Sequence, residues 1–190
     1  FCLRMGSKVE KKLIDSNQKI IDYANSEDQS DLLDIFLSSK CRFFLLSQVG
    51  LAIIPETFNR PVVYVNGTNI ASNNTHANNS LFIPRKHYSV KKRKLLTFKE
   101  YIDLELENDL VNVEIFKELG IKLIDNTPEE ITDVVMEMDS RINGTWVVND
   151  EEEDLQNKFW SLFKHKFLKS PTFRIGSKFL RQKQNQYLLN

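Results

Sequence analysis

The four residues Ser47-Gln48-Val49-Gly50 interrupt two apolar runs, CRFFLLSQ at 41–48 and the stretch that resumes at Gly50. A polar, glycine-containing break at the end of a strand, followed by a helix, has the makings of an anion cradle. The turn's backbone N–H groups and the positive end of the helix would face the ligand, and glycine would let it approach closely. An ordinary strand-to-helix turn has the same composition and is the commoner origin of such a break. Neither a GxGxxG run nor a Walker lysine accompanies it. Three other places belong to the same argument. Arg4-Met5-Gly6 ends the first apolar run with a cation and a flexible residue, and Asn66 ends the run PVVYVN. Glu56 follows Pro55 in the helix after the break, where a carboxylate could hold ribose hydroxyls or simply stay solvated. The segment PRKHYSVKKRK at 84–94 adds Arg85 and Lys86, which could neutralise a pyrophosphate; the segment also suits an anionic lipid surface or a solvated basic loop. The candidate binding residues are therefore Arg4, Gly6, Ser47, Gln48, Gly50, Glu56, Asn66, Arg85 and Lys86. His76, His87 and His165 lack ligand spacing and do not pair with a cysteine, so no metal site is expected. No catalytic nucleophile or base can be named.

These residues act together only if a parallel sheet gathers their ends. The runs 1–6, 19–26, 41–48 and 61–66 read as strands, and 31–40 and 50–58 as helices, the former capped by Ser30 or Asp31 with Leu32, Leu33, Ile35, Phe36 and Leu37 inside. CRFFLLSQ and PVVYVN are apolar at nearly every position, as strands covered on both faces should be. Pro55 would kink or restart its helix. Strand alternating with helix over short links predicts an α/β fold, a Rossmann-like parallel sheet with flanking helices. Residues 67–80 read as a polar loop and Leu81–Ile83 as a short apolar stretch. Thr97 caps a helix through Ile102. Thr127-Pro128-Glu129-Glu130 starts another, with Ile131, Val134, Val135, Met138 and Ile142 at helical spacing. The acidic run Asp150–Asp154 opens a last long helix with Leu155, Phe159, Leu162, Phe163 and Phe167 on one face. A short helix over 175–189 closes the chain. The expected organisation is one domain at 1–149 and a C-terminal helical tail at 150–190.

The 190 residues suffice for one good core, and 26 basic against 26 acidic residues give no net charge, so a nucleic-acid partner is not expected. Cys2 and Cys41 sit in apolar runs and read as buried thiols of a protein in the reducing cytoplasm. The sequons at Asn66, Asn73, Asn78 and Asn143 then have no role. No run approaches the roughly 20 apolar residues of a membrane span. Phe1–Met5 already reads as a strand, which suggests the C-terminal part of a longer protein.

Several blocks, in order, resemble a family of bacterial glycosyltransferases of surface-polysaccharide and lipopolysaccharide clusters: RMG at 4–6, IIDYANS at 20–26, SDLLDIFLSSKCRFFLLSQVGLAIIPETFNRPVVYVN at 30–66, FIPRKH at 82–87, LLTFKEYI at 95–102, IDNTPEEITDVVMEM at 124–138 and RIGSKFL at 174–180. The resemblance spans almost the whole chain. It implies the C-terminal, nucleotide-sugar-binding half of a GT-B architecture that transfers sugar to a glycan or lipid-linked acceptor, without a cofactor, in the cytoplasm and in peripheral contact with the inner membrane face. The catalytic base would belong to an N-terminal domain. Pro55, Phe58, Pro61 and Asn66 match the family's pattern, and Ser47 and Gly50 match its strand-end turn. Val49 stands where that family has serine, which removes a hydroxyl contact but leaves the backbone donors. Two other readings remain, a nucleotide- or sugar-binding module without turnover, and a peripheral membrane scaffold.

Overall fold

The computed structural model describes residues 1–6, 9, 11–47, 51, 53–68, 78–106, 113–163, 173–182, 185 and 187–189. Two compact units divide the chain, Phe1–Cys41 and Arg42–Asn190, so the expected boundary at 149/150 does not coincide with the division.

In the N-terminal unit, β1 (Cys2–Leu3) pairs in parallel with β2 (Ile20–Ile21). The chain then reaches α1 (Asp31–Lys40), where the Ser30 hydroxyl accepts from the Leu33 amide as the cap residue should. The covered side of α1 differs from expectation. Leu32, Ile35 and Phe36 are exposed, and the buried residues are Ser38 and Ser39. Small hydroxyl side chains tolerate that position because they can bond the helix backbone. Ser39 Oγ does so, donating to the Phe36 carbonyl at 2.8 Å. The thiols differ too: Cys2 is exposed and Cys41 is half-buried. Cys2 lies on a strand of only two residues, and Cys41 follows α1 instead of entering a strand.

The C-terminal unit is built on four parallel strands in the order β3 (Phe44–Leu46), β4 (Val62–Gly67), β5 (Leu81–Pro84) and β9 (Arg174–Ile175), the α/β arrangement with flanking helices that the runs predicted. β4 lies inside the sheet and its Val62, Val63, Tyr64 and Val65 are buried, which is why PVVYVN contains no alternation. β3 was expected to be covered on both faces as well. It forms an edge of the described sheet and leaves Leu45 exposed. After it, α2 (Ile53–Thr57) carries Pro55 in its first turn, where a missing N–H breaks no helix bond.

The stretch 175–189, expected as one helix, instead holds the end of β9, then α7 (Ser177–Arg181) and a 3-10 turn at Tyr187–Leu189. β9 takes the second edge because Phe173 stacks on Phe82 of β5, with centroids 5.0 Å apart and planes at 6°. Phe82 also meets Phe159 and Trp160 of α6 (Asp150–Leu162), so residues after 150 complete the core instead of trailing from it. Phe163 is buried with them, while Phe167 lies outside the described residues. Gly176, between β9 and α7, has a packing role. A Cβ there would stand 2.9 Å from Ile83 Cγ2 and 3.2 Å from Val134 Cγ2. Both neighbours are branched core side chains that yield little.

The basic segment 84–94 is not a loop. β5 runs through Arg85 directly into β6 (Lys86–Ser89), which pairs antiparallel with β7 (Lys94–Leu95) and β8 (Ile121–Ile124). Lys86, His87 and Ser89 are buried there. Between β7 and β8 lie α3 (Phe98–Asp103) and α4 (Val113–Glu118); α5 (Pro128–Ile142) follows β8. Thr97 and Thr127 close complete capping boxes with Glu100 and Glu130. Among the described residues no helix is long and apolar enough to cross a membrane.

Candidate functional site at the carboxyl edge of the parallel sheet

Ligands of open parallel sheets bind where the strands end and the chain turns toward the helices. At this edge stand Ser47 after β3, Asn66 to Thr68 at the end of β4, and Pro84-Arg85 at the end of β5. The chain leaving β8 brings Asp125 and Asn126 to the same place.

A knot of amides holds them. Asn66 has φ 55° and sits at an irregularity where β4 slips by one residue against β5. Asparagine tolerates this left-handed conformation better than most residues, and such slips are a common device at strand ends. Its N–H donates to Asn126 Oδ1 (2.7 Å), and the Asn126 N–H donates to Asn66 Oδ1 (2.6 Å). Asn126 Nδ2 donates to the Pro84 carbonyl (2.9 Å), and Arg85 N–H donates to the Gly67 carbonyl (3.0 Å). One buried asparagine thus fixes the ends of β4 and β5 against the start of α5. Asn126→Ala would leave the Asn66 N–H and the Pro84 carbonyl without these partners. The expected loss is about 2–3 kcal/mol in urea denaturation at an unchanged fold, on the cost of unmet buried donors and acceptors.

On this frame the Arg85 guanidinium is held in place. Nε donates to Asp125 Oδ1 (2.6 Å) and Nη1 to Thr68 Oγ1 (3.1 Å); its Nη2 has no partner among the described residues. Asp125 is well exposed, so this pair is screened and is a positioning contact more than a source of stability. Beneath it, Lys86 Nζ meets Glu130 Oε1 at 2.7 Å with both side chains covered, at 8% and 2% exposure. Burial alone would raise the Glu130 carboxyl, but the Lys86 ammonium and the Thr127 amide hold it below its ordinary range. Lys86 is therefore an internal counter-ion and is not presented to a ligand.

The other expected residues divide clearly. Ser47 is exposed at the edge. Gln48, Val49 and Gly50 lie outside the described residues. Glu56 does reach toward the sheet, but it accepts from the hydroxyl of buried Tyr64. Arg4 and Gly6 belong to the N-terminal unit, where they follow β1. Arg4 donates through Nε to Asp22 Oδ1 and through Nη2 to Oδ2, each at 2.8 Å, and the Gly6 carbonyl accepts from Gln29 Nε2 (2.9 Å). Burial would raise the Asp22 carboxyl, but bonds from the Leu13 amide, Asn25 and Arg4 bring it below its usual value.

At the fourth strand end an internal anion already occupies the turn. Ser177 donates from its amide to Glu137 Oε2 (2.7 Å) and from its hydroxyl to Oε1 (3.0 Å). Burial raises the Glu137 carboxyl even though Arg141 lies against it. The β9 end of the edge is thus filled from within, which leaves the ends of β3, β4 and β5 as the candidate site.

The residue reading missed Thr68, Asp125 and Asn126. Only Asn126 left a signal, as the polar residue immediately before the capping box, and nothing local says that it bonds a strand 60 positions away. Among the described residues no cluster of three His, Cys, Asp or Glu side chains is arranged to hold a metal. No family model, no curated protein and no solved structure matches the chain.

Proposed function

We propose that the carboxyl edge of β3, β4 and β5 binds the diphosphate of a nucleotide-sugar donor, and that the chain is the donor-binding part of a glycosyltransferase acting on a glycan or lipid-linked acceptor. The observation that carries the reading is Arg85, fixed by Asp125 and Thr68 at the end of a parallel strand with Nη2 uncommitted among the described residues. A guanidinium in that place would stabilise the negative charge that grows on the departing nucleoside diphosphate, the main electrostatic demand of sugar transfer. The Asn66–Asn126 knot would keep it there without reorganisation. Ser47 and Thr68 would add hydroxyl donors.

The Arg85–Asp125 pair also favours a second reading, a module that binds the nucleotide without turnover, because this carboxylate is committed to the cation and is not standing as a base. Hydrolysis of a radiolabelled sugar nucleotide by the protein separates the two.

Calorimetric titration with UDP, GDP, ADP and dTDP tests the binding itself. One of them is expected to bind, and Arg85→Ala to weaken it by roughly tenfold or more while the melting temperature stays put, since the exposed pair contributes little stability. Absence of binding by all four, or undiminished binding by the variant, would overturn the proposal.

A further inference from the structure

The β6–β7 hairpin turns through 90–93, and the Val90 N–H donates to the Gly120 carbonyl (2.9 Å) in the turn between α4 and β8. Two turns are thereby joined at one end of the antiparallel sheet. Arg93 at φ 54° and Gly120 at φ 63° hold the left-handed backbone that each tight turn requires.

What this end presents is lopsided. Lys91, Lys92 and Arg93 are exposed in the first turn, Lys94 follows them, and exposed Lys117 lies in the last turn of α4. The carboxylates nearby are Glu100, which takes Lys92 (2.8 Å) and Lys94 (3.0 Å), and Glu114 and Glu118 on α4. Beside the cations stand two exposed aliphatic side chains, Val90 at 47% and Leu119 at 43%. Exposed aliphatic side chains occur elsewhere on this protein too, and at this tip they stand beside a run of cations. A small anion needs one or two converging cations, whereas five spread over two neighbouring elements suit an extended anionic surface. Cations around exposed aliphatic groups complement a bilayer containing acidic phospholipid: the headgroups take the charges, and the aliphatic groups enter the boundary with the acyl chains.

We infer that the tip formed by 90–94 with Lys117 and Leu119 docks the protein on an anionic phospholipid surface. The docking residues are not Arg85 and Lys86, which pair with Asp125 and Glu130 at the opposite end of β6. The inference is thus independent of the donor-binding proposal.

Co-sedimentation of the whole chain with phosphatidylcholine vesicles, with and without phosphatidylglycerol, provides the test. Binding is expected only with phosphatidylglycerol and to weaken as salt is raised, because exposed charges are screened. Lys91→Glu/Arg93→Glu should reduce it by roughly tenfold or more. Val90→Ser/Leu119→Ser should also reduce vesicle binding while leaving retention on a heparin column unchanged. All four positions are exposed, and far-UV circular dichroism checks that each variant is folded. No binding to the anionic vesicles, or binding that either variant leaves intact, overturns the inference. Equal loss of heparin retention in the aliphatic variant overturns it as well, because the surface would then be a general polyanion site.

Discussion

Lys86→Met should lower the unfolding free energy by about 3–5 kcal/mol at neutral pH, the cost of leaving one member of a buried ion pair alone. Glu130 is almost fully covered. Among the described residues its other polar contacts are the Thr127 amide at 3.0 Å and Asn185 Nδ2 at 3.3 Å, neither of which carries charge. Without the ammonium, burial dominates and the Glu130 carboxyl moves from below its ordinary range to above it. The folded variant then binds a proton that the unfolded chain has released, so its stability declines as pH rises above about 4.5, and its deficit against the parent shrinks in acid. Lys86→Met/Glu130→Gln should recover much of the loss, because glutamine keeps an acceptor for the Thr127 amide and carries no charge. Urea denaturation at pH 5 and pH 7.5 reads all of this. A single variant as stable as the parent at pH 7.5, or a double variant no better than the single one, would show that the ammonium is not what keeps this carboxylate in the core.

Acidification should expose a second buried group. Burial holds the His87 imidazole down at about 4, with the Arg85 cation pushing the same way and a hydrogen bond to the Thr68 backbone opposing. The ring lies between Tyr101 (centroids 4.7 Å, 40°) and Phe116 (5.3 Å, 24°), and its Nε2 has no hydrogen-bond partner among the described residues. A neutral ring fits this slot and a cation does not. The folded-state value lies below the unfolded one near 6.5, so the unfolded chain takes up the proton first. The neutral histidine's contribution is complete above pH 6.5 and is lost as pH falls to about 4, a decline of about 3 kcal/mol over that window. Carboxylates held low by their partners, such as Glu100 at about 2, act mainly below that range. His87→Phe keeps the stacked rings and removes the titration. It should flatten the stability profile between pH 4 and 6.5, at the loss of the bond to Thr68. An unchanged slope in His87→Phe would assign the acid sensitivity to other groups.

The Thr68 backbone links this histidine to the candidate site. The Tyr101 hydroxyl donates to the carbonyls of Leu106 (2.7 Å) and Thr68 (3.4 Å), so the residue whose hydroxyl takes Arg85 Nη1 is itself held from the antiparallel side. Arg85 lies between two sheets, and its side-chain partners come from the residue after β4 and from the β8–α5 connection.

Local sequence patterns determined a good part of this protein. Both capping boxes, at Thr97 and Thr127, close within three residues, and each helix starts where its side chains can satisfy its own first amides. The unbroken apolar runs and short links specified parallel strands, because a strand covered on both faces needs no alternation and a short helix can return the chain. Residues whose roles depend on distant partners were not legible in that way. Arg174-Ile175 is too short to declare itself a strand and becomes one only because Phe173 finds Phe82. Lys86 resembles its cationic neighbours at 91–93 and differs from them only by a glutamate 44 positions on. The segment 84–94 is rich in cations, yet tertiary structure buried its first half and left its second half exposed. Charge and apolarity are properties of single residues, whereas burial and partnership arise when elements far apart in the chain are brought together.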